Sequence, residues 1–247
     1  MTTPGSTSGA KCLERLIGSA YKPKAVVLPN LDRRYRNLIK TGLRYFKANG
    51  VLYTLKKVSE LIRLKQDQVM VNNVSRKYTS SEQLAKVHNI PILSPHSMRE
   101  QILKDELKLI EPDYIVVASL DYILPVEILQ LARIAAINVH PGILPQYRGA
   151  DPYFWVLANR EEQTGCTVHF MTDRVDAGDI LGVKTLPIQE NDDERRLKEK
   201  LGPLGADLLL DCLTGFDLDK IQPIKQDETL ANYYPKPDKK TRRRYGL

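Results

Sequence analysis

The chain has 247 residues, 42% hydrophobic and 27% charged, an ordinary globular composition with enough length to bury a core without covalent staples. Its three scattered cysteines, Cys12, Cys166 and Cys212, exclude a disulfide scaffold and a cysteine-based zinc site. No apolar run approaches the ~20 residues of a membrane helix, and MTTPGSTSGA lacks the regions of a signal peptide, so a cytoplasmic protein is expected. The net charge of +7 points to anionic partners, with plain solubility as the alternative. The basic residues crowd into 31–66 and into the tail from Lys236 to Arg244.

Residues 9–20 space their apolar groups as a helix does, with Ser8 placed to cap it. The run 24–29 (KAVVLP) reads as a buried strand. Residues 31–48 and 51–66 read as two basic helices broken at Asn49-Gly50, the second with Val51, Leu55, Val58 and Ile62 on one stripe. A helix over 80–89, a strand over 90–93 and a helix over 98–110 follow. The run 114–119 (YIVVAS) is continuous and apolar, as in strands buried on both faces. A short helix over 125–132 leads to a strand over 134–140, stopped by Pro141-Gly142. Then come a helix over 152–160, strands over 166–172 and 180–188, and a long helix over 193–213. This alternation predicts an α/β fold: a doubly wound, mostly parallel sheet with a helical insertion at 31–75. The predicted domain spans 1–215, and 216–247 is a C-terminal extension whose basic tail is expected to pack poorly.

In open parallel sheets, ligands bind outside the carboxyl ends of the strands. Asn138 and His140 stand two apart at such an end, so both point to one face. The plain alternative is a polar strand end bonded to its own loop. The strand over 166–172 runs into a loop holding Asp176-Ala177-Gly178-Asp179, from which a carboxylate can reach an imidazole on an adjacent strand. The alternative for Asp176 is ordinary turn chemistry. Together these segments place an amide, an imidazole and a carboxylate at one sheet edge.

The strings NVHPGILPQYRG (138–149), TGCTVHF (164–170) and VDAGDI (175–180) closely resemble the folate-dependent formyltransferase family. That family includes glycinamide ribonucleotide formyltransferase, methionyl-tRNA formyltransferase and sugar N-formyltransferases. The likeness is strong over 112–181, looser before it and to about residue 215, and weak over 31–75. It implies a Rossmann-like formyltransferase domain, 10-formyltetrahydrofolate as formyl donor and an amine as acceptor. In that reading Asn138 and a cationic His140 donate to the oxyanion, or His140 passes a proton to the leaving folate nitrogen. Asp176 orients His140 and takes up the proton of the amine. No metal is needed, because the formyl group is already activated by its nitrogen. The resemblance also carries pterin binding to Asp121, Tyr122, Ile123 and Leu124, although the same run suits the start of a core helix. It places Arg148 and Gly149 at the acceptor pocket, Arg148 against an acceptor phosphate. His169 supports the site or touches the acceptor, or is simply a hydrogen-bonded strand histidine.

The chain departs from the family pattern in three places. No strand precedes the Thr/Pro/Gly/Ser loop at 2–8, so either the chain starts a few residues short, the preferred reading, or another segment fills the gap. Ser6, Thr7 and Ser8 in that loop suit an acceptor phosphate at a helix N-terminus, or form a flexible cap. The insertion at 31–75 is a solvated face, a lid, a dimer surface, a polyanion contact or a membrane-surface element. The chain ends without the β-barrel expected of methionyl-tRNA formyltransferases, so tRNA is not expected as acceptor. The expected function is formyl transfer to the primary amine of a small, phosphorylated molecule, first an amino sugar linked to a nucleotide. Glycinamide ribonucleotide is the alternative acceptor, hydrolysis of the formyl folate a third reading, and a degenerate folate-binding module the non-enzyme reading.

Overall fold

A computed structural model describes residues 1–29 and 80–246. The two basic helices expected within 31–75 lie outside the described residues. Helix α1 (Thr7–Ile17) is capped by Ser6 rather than Ser8, because Ser6 is the last extended residue and its hydroxyl accepts the Gly9 N–H at 3.0 Å. Strand β1 (Val26–Val27) pairs in parallel with β2 (Ile92–Leu93), which follows α2 (Ser81–Val87) and its cap Ser80. Helix α3 (Gln101–Ile110), β3 (Tyr114–Ala118), α4 (Val126–Leu129) and β4 (Ala135–His140) come next, with β4 parallel to β3.

From there the sheet reverses sense. After β5 (Arg148–Gly149) and α5 (Pro152–Ala158), β6 (Gln163–Phe170) runs antiparallel to β4. Strand β7 (Ile180–Pro187) runs antiparallel to β6, giving the order β3-β4-β6-β7. The α/β class is as expected. The four-stranded sheet is mixed, with one parallel and two antiparallel pairings, where a mostly parallel one was expected; an apolar run identifies a strand but not its direction. Helix α6 (Glu194–Asp217) and α5 cover one face, where Phe154, Leu201 and Leu209 pack with Ile137 and Val168. Helices α3 and α4 cover the other, where Leu103 and Ile128 pack with Ile115 and Val117. Each such buried side chain contributes roughly 1.5–3 kcal/mol. Among the described residues, no helix is long and apolar enough to cross a membrane.

Met1–Thr3 lies between β1 and β3 and joins the two sheets. Thr2 N–H donates to Val27 O at 3.2 Å, Ala118 N–H to Met1 O at 3.1 Å and Thr3 N–H to Ser119 O at 3.1 Å. These residues pair the backbone that the sequence left without a partner at this end. Past Met1, a cavity of about 460 Å³ lined by Leu16, Val27, Val116 and Ile134 continues toward the start of β3. The buried Met1 amine donates to Val116 O, and burial pulls its pKa down to about 6.

The segment after α6 crosses the molecule and packs, contrary to the loose tail expected from its charge. Ile224 exchanges backbone hydrogen bonds with Ile180, and β8 (Tyr233–Tyr234) pairs in parallel with β5. In the final helix α7 (Lys239–Arg244), Arg242 reaches Asp151 at 2.9 Å and also binds Glu194. The Tyr245 ring meets Phe154 and Trp155 edge-on at 6.1 and 6.2 Å. Aromatic side chains anchor the tail between its lysines and arginines.

Candidate active site

Strands β4 and β6 are in a register that sets Asn138 opposite His169 and His140 opposite Thr167. The pleat therefore puts the amide and both imidazoles on one face. Asn138 Nδ2 lies 3.2 Å from His169 Nε2 and 3.3 Å from Asp176 Oδ1. His140 Nδ1 is 3.5 Å from Asp176 Oδ2, and His169 Nε2 is 3.6 Å from Asp176 Oδ1. Thr167 fixes the turn after β4: its hydroxyl donates to Gly142 O at 2.7 Å and accepts the Leu144 N–H at 3.1 Å.

The hydrogen-bond partners set the tautomers. His140 Nε2 is 2.7 Å from the Tyr147 carbonyl, and His169 Nδ1 is 2.7 Å from the Phe170 carbonyl. A carbonyl only accepts, so those two nitrogens carry hydrogen. In neutral rings, His140 Nδ1 and His169 Nε2 are then bare, and Asn138 donates to the latter. Burial lowers the His140 pKa from its ordinary 6.5; Asp176 opposes this and His169 reinforces it. Burial thus favours the neutral imidazole in the resting site. Burial alone would raise Asp176, but the positive charge of His140 when protonated and the Gly149 N–H at 2.9 Å pull it below the usual carboxylate range.

Asp176 reaches the site by a route that differs from the expected one. Because β6 is antiparallel, its carboxyl end lies beside Ile137, away from the carboxyl end of β4. The loop over 171–179 doubles back, with Phe170 N–H donating to Asp179 O at 2.9 Å. The doubling requires glycine at Gly178, where a Cβ would lie 1.9 Å from Phe170 O. Asp176 itself takes the left-handed φ of 51°.

Arg148 is corrected most strongly. Its side chain faces inward and is 7% exposed, so it is not free to meet an acceptor phosphate. Its Nε and Nη2 donate to Gln226 Oε1 at 3.0 and 2.8 Å, and Nη1 and Nη2 donate to Glu228 at 3.0 and 3.1 Å. Gly149 adopts a φ of +102°, and a Cβ there would lie 2.2 Å from Tyr234 O; its N–H serves Asp176. Of the expected phosphate trio, the Ser6 hydroxyl accepts the Gly9 N–H, Ser8 is hydrogen-bonded to Tyr153, and Thr7 is exposed. In the loop after β3, Asp121 donates its N–H to Thr3 Oγ1 at 2.9 Å, Tyr122 packs partly on the core and Ile123 is exposed. Leu124 is buried in the core, so its side chain is a packing residue. Sequence reasoning missed Gln226 and Glu228 entirely, because 225–228 (KQDE) reads as a solvated polar run.

This is an α/β domain with a hydrogen-bond donor, two imidazoles and a carboxylate gathered at one strand end. The sequence matches the formyl transferase family over residues 29–213, and the chain belongs to that family. The methionyl-tRNA formyltransferase of Pelobacter propionicus is 36% identical over 154 residues, 62% of this chain and 48% of its own length. That of Limosilactobacillus fermentum is 38% identical over 157 residues, 64% of this chain and 50% of its own length. The chain thus spans about half the length of the curated relatives it matches. The solved N-formyltransferase of Helicobacter canadensis, in complex with folinic acid and dTDP-3-aminofucose, is 18% identical with a TM-score of 0.62, covering 95% of this chain and 70% of that one. WlaRD, a sugar 3N-formyl transferase, is 16% identical with a TM-score of 0.61, covering 95% of this chain and 68% of that one. These two likenesses establish the shared fold.

Proposed function

We propose that this chain transfers a formyl group from 10-formyltetrahydrofolate to a primary amine. The observation that carries the reading is the meeting of Asn138, His140, His169 and Asp176 in contacts of 3.2 to 3.6 Å, within a formyl transferase family member. The amine nitrogen bonds to the formyl carbon, and the carbonyl electron pair moves to oxygen. Asn138, half-buried, donates an N–H to that oxygen by giving up one of its present bonds to His169 or Asp176. The proton shed by the attacking nitrogen passes to the Asp176–His140 pair, where a protonated His140 turns its new Nδ1–H toward Asp176 Oδ2. As the carbon–nitrogen bond to the folate breaks, the proton returns to the leaving nitrogen. Both His140 nitrogens face protein atoms, so its part is to store the proton rather than to touch the oxyanion. The loop over 119–125 holds the pterin, with Ile123 as an apolar face, Asp121 and Tyr122 beside it, and Leu124 contributing backbone alone. The cytoplasm as its compartment is supported by three buried free thiols.

The acceptor divides into two readings. An amino sugar linked to a nucleotide comes first, its phosphates meeting exposed Lys240, Arg243 and Arg244 on the helix that Arg242 ties to Asp151. An aminoacylated tRNA comes second and is supported by the 36% and 38% identity to methionyl-tRNA formyltransferases. The test follows tetrahydrofolate release from the formyl donor with a dTDP-linked amino sugar, glycinamide ribonucleotide, methionyl-tRNA or no amine. Release that needs an amine supports transfer and identifies the acceptor. Release without an amine, or folate binding without turnover under every condition, overturns it.

A further inference from the structure

The geometry points to Gln226 as a positioning residue: it registers the loop that carries Asp176 against the loop that carries Arg148 and Gly149, and so sets the distance from Asp176 to His140. This rests on the proposed catalytic role of Asp176. The Gln226 amide has its main hydrogen-bonding directions filled by these two loops. Its Nε2 donates to Asp176 O at 2.8 Å and to Gly178 O at 2.7 Å. Its Oε1 accepts from Arg148 Nε at 3.0 Å and Nη2 at 2.8 Å. One planar amide thus bridges two segments that no strand pairing joins. Amide geometry fixes both ends, because the donor side meets only carbonyls and the acceptor side only the guanidinium.

Three features show why the bridge is needed. Asp176 sits at a left-handed φ of 51°, a conformation that persists only when its surroundings fix it, and Gln226 bonds its carbonyl. The Asp176 carboxylate receives the Gly149 N–H at 2.9 Å, and Gly149 follows the arginine that Gln226 holds. Glu228, two residues on, accepts from Arg148 and from Arg174 at 3.0 Å each, so the same strap grips both loops a second time. The strap is anchored at both ends by main-chain pairing, Ile224 with Ile180 and Tyr233 with Arg148. Gln226 touches neither His140 nor Asn138, and its influence on them runs through Asp176.

The test replaces Gln226 by Met, which keeps the length and removes every hydrogen bond. Two readouts are taken on folded protein: the titration of the His140 ring by NMR, and kcat and KM for formyl transfer. In Gln226→Met, Asp176 draws back, so the His140 titration moves to lower pH, since the carboxylate facing it has receded and the other titratable side chain against it, the His169 ring, stays in place. The kcat falls by 10- to 100-fold with KM for the folate changed less than threefold. In an Asp176→Asn background, the same substitution moves neither readout further. If Gln226→Met does not fold, Gln226→Ala is read by the same measures. Wild-type titration and kcat within twofold in folded variant protein overturn the positioning role. So does an equal loss in the Asp176→Asn background, which marks a general structural role. If no amine is formylated by the wild type, yet the His140 titration still moves in Gln226→Met, the positioning stands and the transferase reading fails.

Discussion

Replacing Arg148 by Met separates a structural strut from a phosphate-binding group. In the folded chain its side chain is 7% exposed and its guanidinium makes four hydrogen bonds, two to Gln226 Oε1 and two to the Glu228 carboxylate. Methionine fills much of the same volume and donates nothing. Gln226 Oε1 then keeps no donor, and an unsatisfied acceptor of this kind costs ~1–3 kcal/mol. For a domain of this size, ~2–4 °C of melting temperature accompany each kcal/mol, so Tm drops by about 2 to 12 °C. The loss also depends on pH. Hydrogen bonds from Arg148 and then Arg174 hold Glu228 at about 2, below its ordinary 4.5. A depressed carboxylate gives its stabilisation above the unfolded pKa and loses it as pH falls through the folded one. The gap between wild type and Arg148→Met therefore narrows between pH 4.5 and about 2. The assay is thermal unfolding by circular dichroism across pH, with KM for a phosphorylated acceptor alongside. An unchanged Tm with a tenfold rise in that KM refutes the strut and restores the phosphate contact.

Asn138→Ala removes the N–H proposed to meet the oxyanion, so turnover falls by ~100-fold or more while folate affinity, read by calorimetry, stays within twofold. Equal turnover removes Asn138 from the mechanism. His140 resists protonation when folded, so the unfolded chain binds the extra proton first and stability falls as pH drops below 6.5. Urea unfolding of wild type and His140→Asn at pH 5 and pH 8 checks this, because the acid-side loss is absent from the variant. Burial pushes Cys12 and Cys212 up to about 12 and raises Cys166 as well. A thiol reagent added at pH 8 therefore leaves the three cysteines unmodified until denaturant is present, and fast reaction of the native protein contradicts their burial.

What the sequence disclosed follows from the range of the forces involved. Apolar runs and capping residues act within a few positions, so β3, β4, α6 and most other described elements fall within a few residues of their expected places. The spacing of Asn138 and His140 is equally local, since a pleat of period two puts both on one face wherever the strand lies. Strand direction is not local. The expected convergence of Asp176 with His140 assumed parallel strand ends, whereas β6 runs the other way and the loop must fold back. That the carboxylate still arrives depends on residues far along the chain. The Gly149 N–H lies 27 positions before Asp176, and Gln226 lies 50 positions after it. Nothing in 225–228 marks Gln226, because a glutamine bound to two carbonyls and a guanidinium looks the same in sequence as one bound to water. The same blindness made Arg148 look like a phosphate ligand, since an arginine in a loop beside glycine shows its charge in sequence but not its partner. The chemistry at the end of β4 was therefore legible from residue types and spacing. The placement of its carboxylate was not, because it is fixed by a chain segment that meets the site only after folding.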